Sequence, residues 1–132
     1  MAKKRTLKRQ KQLTWDACSK YIRKKYADSD GYVSCYTCGV VKYWTGEAMQ
    51  AGHCVQGRGN SILFILDHIR VQCDSCNRWN RGRLDIFVPK LIKEIGMDRY
   101  DEILALKGKP RKWTVEELKQ LEDEFKEKTS EL

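Results

Sequence analysis

Two Cys-x-x-Cys pairs, Cys35 with Cys38 and Cys73 with Cys76, constrain the fold of this chain more than any other feature. Two intervening residues let both thiolates of a pair face one ion, and two pairs supply the four ligands of a closed, tetrahedral zinc site. Because 35 positions separate Cys38 from Cys73, a substantial element must be inserted between the two halves. The spacing favours one structural Zn²⁺ over the alternative of two independent redox motifs.

The other two cysteines, Cys18 and Cys54, have no partner in this scheme. Cys18 falls in a helical pattern and is expected in the core, whereas Cys54 directly follows a histidine and is compatible with a core or a site role. The basic N-terminus has no apolar segment behind it, so no secretory signal is expected. We therefore expect a reducing, cytoplasmic compartment in which disulfides are disfavoured.

The charge of the chain points to a polyanionic partner. Its 132 residues include 26 Lys and Arg against 18 Asp and Glu, a formal charge of +8. Hydrophobic residues make up 41%, enough for one small folded domain, and no apolar run approaches the roughly 18 residues that span a bilayer. Nucleic acid is the first expected partner and a membrane is not expected, with ordinary solubility charge as the alternative.

The N-terminal half predicts one helix and little regular strand. Residues 1–12 are basic and lack apolar periodicity, which predicts either a flexible arm that follows a phosphate backbone or a solvated tail. Apolar residues then recur at helical spacing over 13–26, with Thr14 as the expected N-cap. A short strand is expected at 32–33, and an irregular hairpin or loop at 39–54.

The C-terminal half predicts several helices. After Cys76 the pattern is helical with a break or bend at Gly82. An apolar stripe follows, in which Pro89 requires the helix to begin near Val88 or to be kinked there. Further helices are expected over about 97–132.

The last of these helices has a clear start and one apolar face. Thr114 is the expected N-cap, and Glu117 three residues later completes a capping box. The apolar face consists of Val115, Leu118, Leu121 and Phe125. This face packs either on its own domain or against a second copy of the chain.

Both histidines of the chain and one asparagine fall between or beside the cysteine pairs. His53 follows Ala-Gly, His68 lies five residues before Cys73, and Asn77 directly follows the last cysteine. This order is that of a ββα-metal, or HNH, nuclease site, where an imidazole activates water and an amide oxygen binds Mg²⁺ beside the phosphate. Zinc would hold His53 and Asn77 across a gap that fits a phosphate. Taken singly, each residue also has a purely structural interpretation. His53 is compatible with a turn histidine, His68 with a histidine that donates to a backbone carbonyl, and Asn77 with a polar residue at a helix start.

Several short motifs, common singly but specific in combination, extend over residues 13–132. They are Ser19-Lys-Tyr-Ile-Arg23, Ala27-Asp28, Cys35-x2-Cys38-Gly39, Ala51-Gly52-His53, Gln72-Cys73-x2-Cys76-Asn77-Arg78, Gly82, Leu106-Lys107, Lys112-Trp113-Thr114, Glu117-Leu118 and Lys126 to Leu132. In these motifs the sequence resembles the NinG/Rap recombination proteins of lambdoid and related phages, within the HNH/ββα-metal superfamily. The phage recombination endonuclease VII family shares the same combination of zinc and asparagine.

This resemblance implies a small α+β protein with a zinc-stapled ββα-metal (HNH-like) core and flanking N- and C-terminal helices, in one domain over 13–132. It implies a nuclease that cuts branched recombination intermediates, such as Holliday junctions or flaps, in a phage-infected or prophage-carrying bacterium. His53 takes the general-base position, and Asn77 the position that binds the catalytic Mg²⁺ or Mn²⁺. His68 takes the middle position and orients the loop or His53, while the four paired cysteines take the zinc positions.

Basic residues near the site are the expected contacts to the DNA backbone. They are Arg58, Arg78, Arg81 and Arg83. Contacts of this kind would make binding strongly salt-dependent. Because a four-way junction must be cut twice, a homodimer is favoured.

Two positions depart from the family pattern, and two other functions compete. Many HNH nucleases carry a metal-binding Asp directly before the catalytic His, where this chain has Gly52, so Gln50 or water molecules are the substitutes. NinG-like sequences carry Asn after the helix glycine, where this chain has Arg83, which is expected to bind a phosphate instead.

The competing functions are a nicking or packaging HNH endonuclease without junction preference and a zinc-containing DNA-binding protein without catalysis.

Overall fold

Residues 4–56 and 59–132 are described by a computed structural model, and within them the protein is α+β, as the sequence predicts. The main elements are α1 (Leu7–Tyr26), β1 (Tyr32–Ser34), β2 (Val41–Tyr43), β3 (Met49–His53), β4 (Ile69–Cys73), α2 (Leu84–Ile95), α3 (Met97–Lys107) and α4 (Val115–Ser130). Short helical turns cover Leu66–His68, Ser75–Trp79 and Arg81–Arg83. In this part of the chain, no helix combines the length and apolar character needed to cross a bilayer.

The first helix begins earlier than its apolar pattern predicts. Thr6 caps it by accepting a hydrogen bond of 3.1 Å from the Arg9 N–H, and the predicted cap, Thr14, lies buried inside the helix. The Thr14 hydroxyl instead donates to the carbonyl of Leu118 in α4 at 2.8 Å. The predicted flexible arm over 1–12 is therefore wrong from Leu7 onwards, because polar tertiary contacts rather than an apolar stripe hold this first part of the helix.

The last helix packs along the first. The predicted capping box is confirmed, since Thr114 and Glu117 each accept a hydrogen bond from the other's backbone N–H. Leu118 and Phe125 are buried, and the Phe125 ring lies 6.0 Å from the ring of Tyr21 in α1. The apolar face of α4 thus packs on its own chain, and the alternative in which that face makes a dimer contact is wrong. The homodimer itself stays a prediction.

A buried carboxylate ties these two helices together. Glu122 is 2% exposed, and its Oε1 accepts hydrogen bonds of 2.9 Å from Gln10 Nε2 and from Arg5 Nη1. Lys126 Nζ lies 2.8 Å from the other oxygen. Burial raises the pKa of Glu122, but the hydrogen bonds and nearby lysines outweigh it and lower the pKa to about 2.

Because of this lowered pKa, the free energy of unfolding is expected to depend on pH in the acid range. The carboxylate stabilises the fold fully above its unfolded pKa of about 4.5, and this contribution disappears as the pH falls towards 2. Two and a half pKa units correspond to about 3 kcal/mol. We expect urea unfolding at successive pH values from 6 to 3 to show a steeper loss of stability in the wild type than in Glu122→Gln. Glu124→Gln, an exposed neighbour on the same helix, should keep the wild-type slope, and equal slopes in all three proteins would contradict this assignment.

The central sheet is the antiparallel pair β3 and β4. Gly52 pairs with Arg70 and His53 with Ile69. Because side chains alternate along a strand, Met49, Ala51 and His53 share one face, and Gln50 and Gly52 share the other. Ala51 belongs to the core cluster formed with Ala17 and Ile22 of α1, so His53 lies on the α1 side of the sheet. The strands β1 and β2 form a separate antiparallel pair.

The chain after β4 follows the predicted order with one correction. Gly82 breaks the helical path with a φ of 81°, as predicted. The next helix, α2, begins at Leu84 rather than near Val88, and Pro89 lies inside it. Phe87 and Leu91 account for this early start, because they are fully buried on one face and leave Pro89 on the exposed side. The predicted helices over about 97–132 are confirmed by α3 and α4.

Candidate metal centre and nucleic-acid interface

The four paired cysteines converge on one point. Cys35 and Cys38 lie in the turn after β1, Cys73 ends β4, and Cys76 lies in the following helical turn. All four Sγ atoms lie within 4.8 Å of one another, and those of Cys38 and Cys73 are 3.7 Å apart. Tetrahedral Zn²⁺ with Zn–S distances near 2.3 Å separates its sulfur ligands by about 3.8 Å. The cluster therefore has the composition and spacing to hold one zinc ion, as the sequence predicts.

The thiols of this cluster ionise unequally. Burial raises the pKa of Cys35, but hydrogen bonds from the Thr37 hydroxyl and neighbouring backbone N–H groups outweigh it and lower the pKa to about 6. Burial dominates at Cys76 and raises its pKa to about 12. Because zinc binds thiolates, Cys35 reaches the form that binds metal at the lower pH of these two, and metal binding must displace the proton of Cys76.

The two unpaired cysteines belong to the core. Cys18 is fully buried in the cluster around α1, as predicted, and Cys54 packs with Phe87 and Leu91 of α2. Burial raises the pKa of both thiols to about 12. Both therefore remain protonated hydrophobic side chains, and the open question about Cys54 is answered in favour of packing.

The imidazole of His53 is packed between two elements. Its ring stacks on Trp15 of α1 with a centroid distance of 4.7 Å and an interplanar angle of 23°. Nε2 lies 2.9 Å from the carbonyl oxygen of Leu63. Since a carbonyl only accepts, Nε2 carries the proton in this tautomer and the ring's lone pair is on Nδ1. The contact with Trp15 was not predicted, although both residues lie on apolar-facing positions of their elements.

The second histidine is a buried structural element. His68 is 0% exposed, its Nδ1 accepts from the Val55 N–H at 3.2 Å, and its Nε2 donates to the Ile62 carbonyl at 2.8 Å. Burial lowers the pKa of His68 to about 4, so the ring is neutral near pH 7. Its ring lies 5.1 Å from that of His53. Of the two predicted roles, the geometry favours orienting the loop, because both ring nitrogens are bonded to loop backbone.

Asn77 lies on the other side of β3 from the His53 ring. Its Nδ2 donates to Gln50 Oε1 at 2.7 Å, and Gln50 Nε2 donates to Asp74 Oδ1 at 2.8 Å. Asn77 Oδ1 lies against Gly52, the residue before His53. The structure thus brings Asn77 to the strand that carries His53, but the two side chains approach that strand from opposite faces.

The space beside Gly52 is filled by a neighbouring amide. A Cβ built on Gly52 would collide with Gln72 Oε1 and would lie 3.0 Å from Asn77 Oδ1. Gln72 is 0% exposed, and its Nε2 donates to the Gly82 carbonyl at 2.8 Å and to Thr37 Oγ1 at 3.2 Å. Those two acceptors fix the amide orientation and leave Oε1 buried, without a hydrogen-bond partner in the described chain. A glycine is therefore required where an aspartate was the family expectation.

Substitution of this glycine has a measurable cost. We expect Gly52→Ala to destabilise the fold by about 2 to 3 kcal/mol, because the new methyl group must displace a buried amide that holds two hydrogen bonds. Gly108→Ala is the matched control, since nothing lies within 4 Å of a Cβ built there. Urea unfolding of the zinc-loaded proteins measures both changes. A Gly52→Ala protein as stable as Gly108→Ala would show that the Gln72 amide moves freely.

Three of the four predicted DNA-contacting arginines follow the last zinc ligand. Arg78 is exposed and lies 3.7 Å from Asp74, Arg81 is exposed, and Arg83 pairs with Asp85 at 3.3 Å. Arg81 and Arg83 have φ values of 52° and 48°, left-handed conformations that cost free energy for non-glycine residues. The fourth, Arg58, lies outside the described residues.

Fold and site together define a class of protein: a basic α+β chain in which four cysteines join a hairpin to a helix around one candidate zinc centre. The whole chain, residues 1–132, matches the family model described as Bacteriophage Lambda NinG protein, and the chain belongs to the NinG family. The resemblance seen in the sequence is therefore confirmed.

One curated relative matches the chain along part of its own length. The chain is 30% identical over 117 residues to Protein ninG of Salmonella phage P22, which covers 88% of this chain and 54% of that protein. The chain thus spans about half the length of the curated relative it matches. No solved structure matches the chain significantly.

Proposed function

We propose that this chain is a metal-dependent DNA endonuclease that acts on branched recombination intermediates such as Holliday junctions or flaps. One observation carries the proposal: Asn77 Oδ1 lies against Gly52, directly before His53, in a hairpin-and-helix unit that four cysteines clamp. A strand that carries the histidine beside a helical turn that carries the asparagine is what the ββα arrangement implied by the sequence resemblance would require, and this supports the proposal. The formal charge of +8 favours a polyanionic substrate.

The residues around Gly52 fit an oxygen-preferring divalent cation. Mg²⁺ and Mn²⁺ bind carbonyl and carboxylate oxygens and keep several waters. Asn77 Oδ1 would hold the ion, and the amide oxygen of Gln72, which has no hydrogen-bond partner among the described residues, lies beside the same point. Gln50, the substitute suggested by the sequence, fits less well because its Oε1 already accepts from Asn77. When bound, such an ion would neutralise charge developing on the 3′ oxygen.

His53 is the proposed general base. Its Nε2–H is held by the Leu63 carbonyl, so Nδ1 is the atom that would accept a proton from the attacking water. Trp15 and His68 fix the ring plane through contacts of 4.7 and 5.1 Å. His68 acts as a positioning residue, since its own nitrogens are bonded to the loop backbone.

Cleavage of labelled DNA tests this proposal. Zinc-loaded protein is incubated with a four-way junction, a flap and a linear duplex of matched sequence, with Mg²⁺, with Mn²⁺ or with no added divalent metal. We expect metal-dependent cuts in the branched substrates, leaving 5′-phosphate and 3′-hydroxyl ends. Equal cutting of all three substrates would favour the nicking or packaging endonuclease instead.

A zinc-containing DNA-binding protein without catalysis is the second candidate. It is favoured by the position of the His53 ring, which stacks on Trp15 on the side of β3 away from Asn77. The presence of Gly52 where many HNH nucleases carry a metal-binding aspartate also favours this candidate. Tight, salt-dependent binding of branched DNA with no cleavage under any metal condition would select this candidate.

A further inference from the structure

The indole of Trp79 is much more exposed to solvent than tryptophan side chains usually are. It is the most exposed large hydrophobic side chain in the described ranges, at 73%, whereas Trp15, Trp44 and Trp113 are partly buried. Tryptophan is among the most buried residues on average. Trp79 adds little to the packing of this fold, and its ring is available to a partner.

The exposed ring is connected to the candidate metal residue. Trp79 Nε1 donates to Asp74 Oδ2 at 3.3 Å, and Asp74 Oδ1 accepts from Gln50 Nε2 at 2.8 Å. Gln50 Oε1 in turn accepts from Asn77 Nδ2 at 2.7 Å. Three successive hydrogen bonds therefore join the indole edge to Asn77. The N–H edge is tied to the protein while the ring remains largely exposed.

One exposed arginine, which also lies 3.7 Å from the Asp74 carboxylate, is beside the same ring, and a second follows in the chain. The Arg78 guanidinium lies 5.8 Å from the ring of Trp79, and Arg81, two residues further on, is exposed and forms no ion pair with the described residues. Proteins that bind single-stranded nucleic acid use exposed aromatic rings beside arginines, because every base has a face to stack and every nucleotide carries a phosphate.

We propose that Trp79 is a stacking site for an unpaired nucleobase at the branch point of the DNA substrate, with Arg78 and Arg81 binding the flanking phosphates. This inference rests on the proposed function, and it adds a reason for branch selectivity. A base within a continuous duplex is stacked on both faces and cannot cover the indole. A base at a flap or junction has a free face, so the site discriminates between the two forms of DNA.

Binding without cleavage tests the inference directly. The DNA is a flap that carries 2-aminopurine as its first unpaired base, compared with a linear duplex of the same sequence. Zinc-loaded protein is used with no other divalent metal. We expect Trp79→Ala to weaken binding of the flap roughly ten-fold and to leave duplex binding unchanged. Wild-type protein should quench the 2-aminopurine fluorescence, and Trp79→Ala should not.

Two further variants separate stacking from structure. Trp79→Phe keeps an aromatic face but loses the hydrogen bond to Asp74, so it should retain most of the flap affinity. Tyr43→Ala removes another exposed aromatic side chain, 48% accessible on β2, and should bind the flap like the wild type. Equal flap affinity of wild type and Trp79→Ala, or equal losses for flap and duplex, would overturn the inference. Failure of the wild type to prefer the flap would instead count against the proposed function as well.

Discussion

Loss of the zinc ion is expected to unfold the region between β1 and α2. The cysteine cluster joins the turn after β1 to the end of β4 and the helical turn that carries Asn77. Structural zinc contributes on the order of 10 kcal/mol in small domains, which is comparable to the whole free energy of unfolding of such a domain. Cys73→Ser should therefore lose stoichiometric zinc and cooperative unfolding.

Zinc content and urea unfolding measure this effect together. Cys54→Ala is the matched control, because that cysteine is also buried but lies outside the cluster, so it should keep one zinc per chain. Zinc binding should also release protons, since burial raises the pKa of Cys76 to about 12. A Cys73→Ser protein with one equivalent of zinc and wild-type stability would exclude these four cysteines as the ligand set.

Removal of the His53 imidazole is expected to slow the proposed DNA cleavage strongly while leaving DNA binding intact. General-base catalysis contributes about 10² to 10⁴-fold in rate, so His53→Ala should cut the junction slower by a factor in that range. Because the ring also stacks on Trp15, the variant's melting temperature and DNA affinity must be measured beside the rate. Added imidazole should restore part of the cleavage if proton transfer is the lost function.

The proposed metal-binding role of Asn77 can be tested against a nearby asparagine, Asn80, as a matched control. Asn77→Ala should raise the concentration of Mg²⁺ needed for cleavage. Asn80→Ala removes an asparagine three residues further along whose side chain, among the described residues, bonds only to Ser75. Full cleavage by His53→Ala, or an unchanged metal requirement in Asn77→Ala, would remove that residue from the mechanism. Cleavage measured across a series of metal concentrations distinguishes these results.

Local signals predicted the parts of the fold that depend on local chemistry. The cysteine spacing predicted the cluster of four thiols that could hold zinc, and the Thr114 and Glu117 pair predicted the start of α4. The break in the helical path at Gly82 also followed from a single residue. Each of these features is determined by residues close in the chain or by one shared ion.

Contacts between distant residues account for what the sequence missed. Residues 7–12 carry no apolar stripe, and they are helical because Gln10 binds Glu122 across 112 positions. The glycine at position 52 follows from the buried amide of Gln72 on the neighbouring strand. The side of β3 on which His53 lies was accessible from strand alternation with Met49 and Ala51, but only once the strand boundaries were known.

The hydrogen bonds between α1 and α4 also limit how early during synthesis the protein can finish folding. During synthesis, Gln10 and Thr14 leave the ribosome long before their partners Glu122 and Leu118 exist. Contacts across such long sequence separations form late and slow the folding rate. Gln10 and Thr14 therefore cannot form their bonds to α4 until that helix has left the ribosome, and a nascent chain stalled before that point should hold a protease-sensitive amino-terminal helix.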